Sequence, residues 1–292
     1  MMTTGFETAL GEITLVLFTT LAPSGVLGFS IMAGALAFGR FDRDVRSRIN
    51  QFLCIPLMIS MVGLIASATH LGNPANALYV FMGVGRSPLS TEVFCAVIFL
   101  FLAGVYWLYS FSQRQVVGLQ RVWSVAIIAA GIAFVTAVAF AYDAETIVSW
   151  NTAYVPIGLW LNAVVGGPLV ALLSFRAAKA EAIVGRYGPL LCGVSAVALV
   201  LNTAVYAMQG TALAGIENSF GTAADLVPFY GLAVAAFFVL CTAGVLSMQL
   251  AVRAGRIPDL ARAAVSCALA YGGIFVMRFV FYMMHMTIGL GF

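Results

Sequence analysis

Residues 13–48 read ITLVLFTTLAPSGVLGFSIMAGALAFGRFDRDVRSR, and they decide the fold. From Ile13 to Phe38 no side chain is charged, and then Arg40, Arg43, Arg46 and Arg48 follow within a few positions. Roughly 20 apolar residues suffice to cross the hydrocarbon core of a bilayer as a helix. A crossing helix that ends abruptly in arginines is therefore expected, with the arginines marking the cytoplasmic side.

Working outward, further apolar runs of spanning length are expected at 52–70, 92–111, 122–142, 155–175, 190–208, 227–250 and 261–290. The reading is an all-α membrane protein of eight transmembrane helices, since runs this long exclude a β-barrel. The composition agrees: 62% of the 292 residues are hydrophobic and 9% are charged, against about 25% charged in soluble domains. The segment 1–12 has no Lys or Arg and no short apolar stretch ending in a cleavage site, so the first helix is expected to stay as an anchor.

Twelve of the fourteen basic residues fall in the odd-numbered loops: Arg40 to Arg48, then Arg114 and Arg121, then Arg176, Lys179 and Arg186, then Arg253, Arg256 and Arg262. The exceptions are Arg86, in the second loop, and Arg278, inside the last helix. This places both termini outside, in the periplasm if the membrane is a bacterial cytoplasmic one. The net charge of +3 is thus a topological signal and gives no reason to expect nucleic acid. The outer loops, at 71–91, 143–154 and 209–226, are the longer and more Gly-, Pro- and Asn-rich ones, as expected of loops that bind partners. In each half the longest outer loop follows the second helix, which reads as two four-helix bundles, 1–142 and 143–292, within one membrane domain.

Cysteines at 54, 95, 192, 241 and 267 lie one to a helix, without the local spacing that holds zinc or an iron–sulfur cluster. Charges inside the membrane mark functional candidates, because each costs several kcal/mol unless it faces protein or water. The candidates are His70 and His285, the only histidines, and Glu92, all near the outer ends of their helices, together with Arg278, which lies deeper in the last helix. Seven residues separate Arg278 from His285, which in a continuous helix puts both on one face, two turns or roughly 10 Å apart. Plainer readings stand beside these. Arg278 is equally a structural tie to Glu92, Glu92 is a first-turn residue of a helix capped by Ser90 or Thr91, and the histidines are interfacial residues satisfied by backbone or water.

A quinol oxidised at a membrane surface needs an acceptor for its hydroxyl protons, and histidine suits that role near neutral pH, with a carboxylate to pass the proton to water. A b-type haem between His70 and His285 is the rival, and a small-solute transporter a third reading.

The ordered fragments His70-Leu71-Gly72-Asn73-Pro74 with Ala77, Val84-Gly85-Arg86-Ser87, Leu89-Ser90-Thr91-Glu92, Trp150, Pro156-Ile157-Gly158 and Gly167-Pro168-Leu169 continue into the second half. There they are Met208-Gln209-Gly210, Leu226-Val227-Pro228, Tyr230-Gly231, Arg278, Phe281-Tyr282 and His285-Met286-Thr287-Ile288-Gly289. Over nearly the full sequence this resembles the membrane anchor subunit family of dimethyl sulfoxide reductase-type molybdopterin oxidoreductase complexes. The resemblance implies eight helices, an iron–sulfur subunit and a molybdopterin catalytic subunit as partners, and a site for menaquinone or ubiquinone with no haem or metal on this chain. It carries the quinol-site histidine to His70 and the glutamate after the second outer loop to Glu92. Arg278 and His285 match the pattern, but their role rests on the geometry above, and Gly85, Arg86 and Ser87 are expected to line the path or to touch a partner. The protein would then be the non-catalytic, electron-exchanging subunit of a quinol-linked complex. Some members of the family serve complexes that oxidise sulfite, so the direction of flow is left to the catalytic partner.

Overall fold

The computed structural model describes residues 5–70, 79–112, 114–219, 221–253 and 258–287. Of the positions singled out above, Leu71, Gly72, Asn73, Pro74, Ala77, Arg256, Ile288 and Gly289 lie outside the described residues.

Among the described residues the protein is all-α apart from one small hairpin. A short helix α1 (Gly5–Gly11) leads into α2 (Ile13–Phe38), α3 (Arg43–Phe52) and α4 (Cys54–Thr69). Then come α5 (Pro88–Tyr109), α6 (Val117–Ala141), α7 (Tyr154–Ala177), α8 (Glu181–Leu213), α9 (Tyr230–Arg253) and α10 (Leu260–Met283). Between α8 and α9 the strands β1 (Glu217–Asn218) and β2 (Gly221–Thr222) pair antiparallel. Among the described residues eight helices are long and apolar enough to cross a membrane, counting α3 with α4 as one run, Arg43–Thr69.

Several boundaries differ from expectation. The arginines at 43, 46 and 48 sit on α3, an amphipathic helix, and not in a loop. Arg46 is buried and its Nε donates to Gln120 Oε1 at 3.1 Å, while Arg48 Nε donates to the Ala178 carbonyl at 3.0 Å. The break at Leu53 precedes Pro56, which has no N–H for the Phe52 carbonyl. Helix α8 extends well past the expected 190–208 at both ends, carrying Glu181, Arg186 and Gln209 within its turns.

Helices α2 and α7 are the most buried. Helix α2 packs against α4, α6, α7 and α10, and α7 against α8, α2, α10 and α6. Their contact is close because it is made of small residues: a Cβ on Gly166 would stand 2.5 Å from Ser24 Oγ, and one on Gly167 2.8 Å from Leu27 Cβ. Without a hydrophobic drive inside lipid, such backbone approach is what holds helices together. The outward faces are apolar, with Phe101, Leu108, Val197 and Val200 exposed, as lipid contact requires.

Candidate functional site

Every even-numbered crossing ends, and every odd-numbered one begins, at the end of the bundle where α1 lies, so Glu12, His70, Glu92 and Arg278 share one end. The helix that carries Glu92 starts at Pro88, and its cap is Ser87, whose Oγ accepts from the Ser90 amide at 3.4 Å. This corrects the expectation of Ser90 or Thr91 as the cap. Proline favours the first helical position because its missing N–H has no partner there. Thr91 instead braces the loop, donating to the Ser87 carbonyl at 3.0 Å and accepting from the Gly85 amide at 3.1 Å, with Gly85 at a φ of 79° that suits glycine. Glu92 is therefore past the first turn and 3% exposed, and its Oε2 has no hydrogen-bond partner. The helix-cap reading of Glu92 falls with that geometry.

Arg278 is also 3% exposed. Its Nε donates to Thr19 Oγ1 at 2.9 Å, and its Cζ stands 4.1 Å from the centre of the Phe281 ring and 5.6 Å from those of Tyr142 and Tyr282. Thr19 can accept because its own hydroxyl proton points back to the Leu15 carbonyl at 2.9 Å. No ion pair joins Arg278 to Glu92. Tyr142 lies within electrostatic range of both groups. A cavity of about 10 Å³, room for roughly one water, lies against Arg278, Tyr206, Gln209 and Met284.

His70 caps the end of α4, half-exposed, with Nε2 3.2 Å from Glu12 Oε2. His285 does not lie on the last helix, which ends at Met283. The segment after it is stitched to the loop before α7. Ser149 Oγ donates to the Met284 carbonyl, the Met286 amide donates to Ser149 Oγ at 3.2 Å, and the Val148 amide donates to the Met286 carbonyl at 3.0 Å. The shared helical face expected for Arg278 and His285 does not exist. His285 is exposed, its ring 5.0 Å from that of Trp150, and Trp150 itself stacks on Phe281 at 4.4 Å and donates Nε1 to the Phe281 carbonyl at 3.1 Å. Gly85, Arg86 and Ser87 line an open recess of about 230 Å³ with Ala137 and Phe140 of α6.

The structure thus brings Arg278 and Glu92 within electrostatic reach of one tyrosine, Tyr142, and turns each histidine to its own partner. Sequence reasoning assigned no role to Thr19, Tyr142, Tyr282, Glu12 or Asp143, although Tyr282 stands in one of the fragments that carry the resemblance. Asp143 has a buried Oδ1 without a partner, and partial burial, helped by Glu145, raises its carboxyl pKa above the usual range. An acid at each helix mouth was the available signal for Glu12 and Asp143; Thr19 and the tyrosines are indistinguishable from packing residues in the sequence. Among the described residues no group of three or more His, Cys, Asp or Glu side chains is placed to hold a metal ion.

The family model described as "DMSO reductase anchor subunit (DmsC)" matches residues 3–284. The protein belongs to that family. It is 31% identical over 278 residues to the C subunit of the anaerobic dimethyl sulfoxide reductase of Escherichia coli (strain K12), with 94% of this sequence and 96% of the relative covered. It is 30% identical over 276 residues to the anaerobic dimethyl sulfoxide reductase subunit YnfH of the same organism, with 94% and 95% covered. The C subunit of the Haemophilus influenzae anaerobic dimethyl sulfoxide reductase is 31% identical over 286 residues, with 97% and 98% covered. This protein is accordingly a multi-pass membrane anchor subunit.

Proposed function

We propose that this anchor subunit binds a quinol at the end of the bundle that holds Glu92, Arg278 and His70, and exchanges electrons with an iron–sulfur subunit docked on the loops there. The molybdopterin catalytic subunit of a dimethyl sulfoxide reductase-like complex lies beyond it. A menaquinol or ubiquinol at this site supplies two electrons and releases two protons. The observation that carries the reading is the buried Glu92 carboxylate, whose Oε2 is unbonded at the same end of the bundle as a guanidinium it does not pair with. A buried polar atom left free in a membrane helix points to a ligand or water, since the alternative is an uncompensated cost.

In this reading Glu92 accepts a hydroxyl proton, and Arg278, fixed by Thr19 and the Phe281 ring, holds the negative charge that develops at the ring oxygen. His70 takes the second proton and hands it to Glu12, 3.2 Å away at the membrane surface. Tyr142, near both Glu92 and Arg278, helps to hold the ring between them. Gly85, Arg86 and Ser87 face the docked partner, and His285 on Trp150 lies at the edge of the same surface. Helices α2 and α7 form the shared spine of two four-helix halves, and the arginine end of the bundle is cytoplasmic, which puts both termini and the redox partners in the periplasm.

Optical spectra of the purified complex, oxidised and dithionite-reduced, followed by quinol-analogue oxidation with the native protein and with His70→Ala, test this. The expected result is no haem band from this subunit, and oxidation lost in His70→Ala while the complex still assembles. Haem b bands assignable to this subunit, or unchanged oxidation, would overturn it. A C-terminal fusion active only with a cytoplasmic reporter would reverse the orientation.

A further inference from the structure

The opposite end of the bundle carries a hollow that the quinol reading does not use. Helix α2 ends in Phe38-Gly39-Arg40, and α8 begins beside it, so the last turns of one and the first turns of the other leave a groove of about 600 Å³ between them. Gly34, Phe38, Leu190 and Leu191 form its apolar walls, and Phe175 lies behind them. Gly34 lines the groove without a side chain, and a Cβ there would have room, with only Ile128 Cδ1 near it at 3.8 Å. Phe38 and Leu190 are respectively 78% and 63% exposed, so the walls face the lipid.

Two guanidinium groups, Arg40 and Arg186, line the same groove. Neither makes an ion pair among the described residues, and the nearest acid on α8, Glu181, is engaged by Arg176 at 3.7 Å. Arg40 also lines a second hollow, of about 490 Å³, that holds Lys179, Asp42 and Glu181, so the acids present face that side. Arg186 stands 5.3 Å over the Tyr187 ring, an aromatic at the depth where such rings anchor helices in the interface. Retention of positive charge on one side accounts for arginines in a loop. It does not account for apolar walls that run from the lipid up to two unpaired cations. Basic pockets between membrane helices suit anionic lipid headgroups, each Lys or Arg near the surface adding to the attraction.

We infer that the groove between α2 and α8 is a site for an anionic phospholipid, with its phosphate between Arg40 and Arg186 and an acyl chain along Gly34, Phe38 and Leu190. Anionic lipids occur in both leaflets, so the site does not depend on which way the protein faces.

Native mass spectrometry of the detergent-purified complex tests it, with phosphatidylglycerol and phosphatidylcholine of matched chains added in equal amounts. Selective retention of phosphatidylglycerol is expected, weakened by roughly 30-fold in Arg40→Gln/Arg186→Gln and unaffected by Arg253→Gln/Arg262→Gln, which lie on other elements. Gly34→Leu, which fills the groove and keeps both charges, is expected to displace the lipid as well. Equal retention of the two lipids, or no loss in either groove variant, would overturn the site. So would inorganic phosphate that displaces the lipid and still binds in Gly34→Leu, since that describes a free-anion site.

Discussion

Two of the clusters of polar side chains buried among the crossing helices, the one around Asn202 and the one around Glu92, differ in how far they close on themselves. In the second half, Asn162 Nδ2 donates to the Tyr206 hydroxyl at 2.8 Å, Asn202 Nδ2 donates to Asn162 Oδ1 at 2.8 Å and to the Gly158 carbonyl at 3.4 Å, and Tyr230 donates to Gln209 Oε1 at 3.1 Å. Only Asn202 Oδ1 in that network is left without a partner. Around Glu92 the opposite holds: Glu92 Oε2 and Arg278 Nη2 are both buried and unbonded. Both clusters sit in the same low-dielectric surroundings, where polar groups are satisfied if their only duty is to join helices. The open cluster also carries the formal charges. A neutral, bonded network between α7 and α8 reads as glue, and a charged, incomplete one as a site.

Substitutions that exchange these two characters sharpen the contrast. The largest effect is expected from Glu92→Gln, which keeps the shape and removes the proton acceptor. Quinol oxidation, measured at equal iron–sulfur content, should fall by about 100-fold or more in an assembled complex. Arg278→Met removes the bond to Thr19 and the cation over Phe281, and should raise the KM for quinol by roughly tenfold. Tyr142→Phe deletes the hydroxyl near both charges, with a loss of about fivefold in kcat/KM. Asn202→Leu should leave oxidation near the native rate and lower thermal stability in detergent by about 1 kcal/mol. An oxidation defect in Asn202→Leu as deep as that of Glu92→Gln would erase the distinction between the clusters.

The apolar runs made the eight crossings legible, because length and absence of charge are local properties. Charge made α3 illegible: Arg43, Asp44, Arg46 and Arg48 resemble a solvated loop until Gln120 and the Ala178 carbonyl supply partners for two of them. The start of α5 was readable in principle from Pro88 at its first position. The end of α10 was not, since it is set by hydrogen bonds from Ser149, 135 positions earlier in the sequence. The same holds within the proposed site. Glu92 and Arg278 announce themselves as charges in apolar runs, whereas Thr19 and Tyr142 acquire meaning only when α2 and α6 bring them to Arg278.

The most direct measurement is the affinity of the assembled complex for a fluorescent quinol-analogue inhibitor, titrated against the native protein, Glu92→Gln and Asn202→Leu. Binding lost or greatly weakened in Glu92→Gln and retained in Asn202→Leu is the predicted result. Native affinity in Glu92→Gln, or loss confined to Asn202→Leu, would contradict a quinol site at the open cluster.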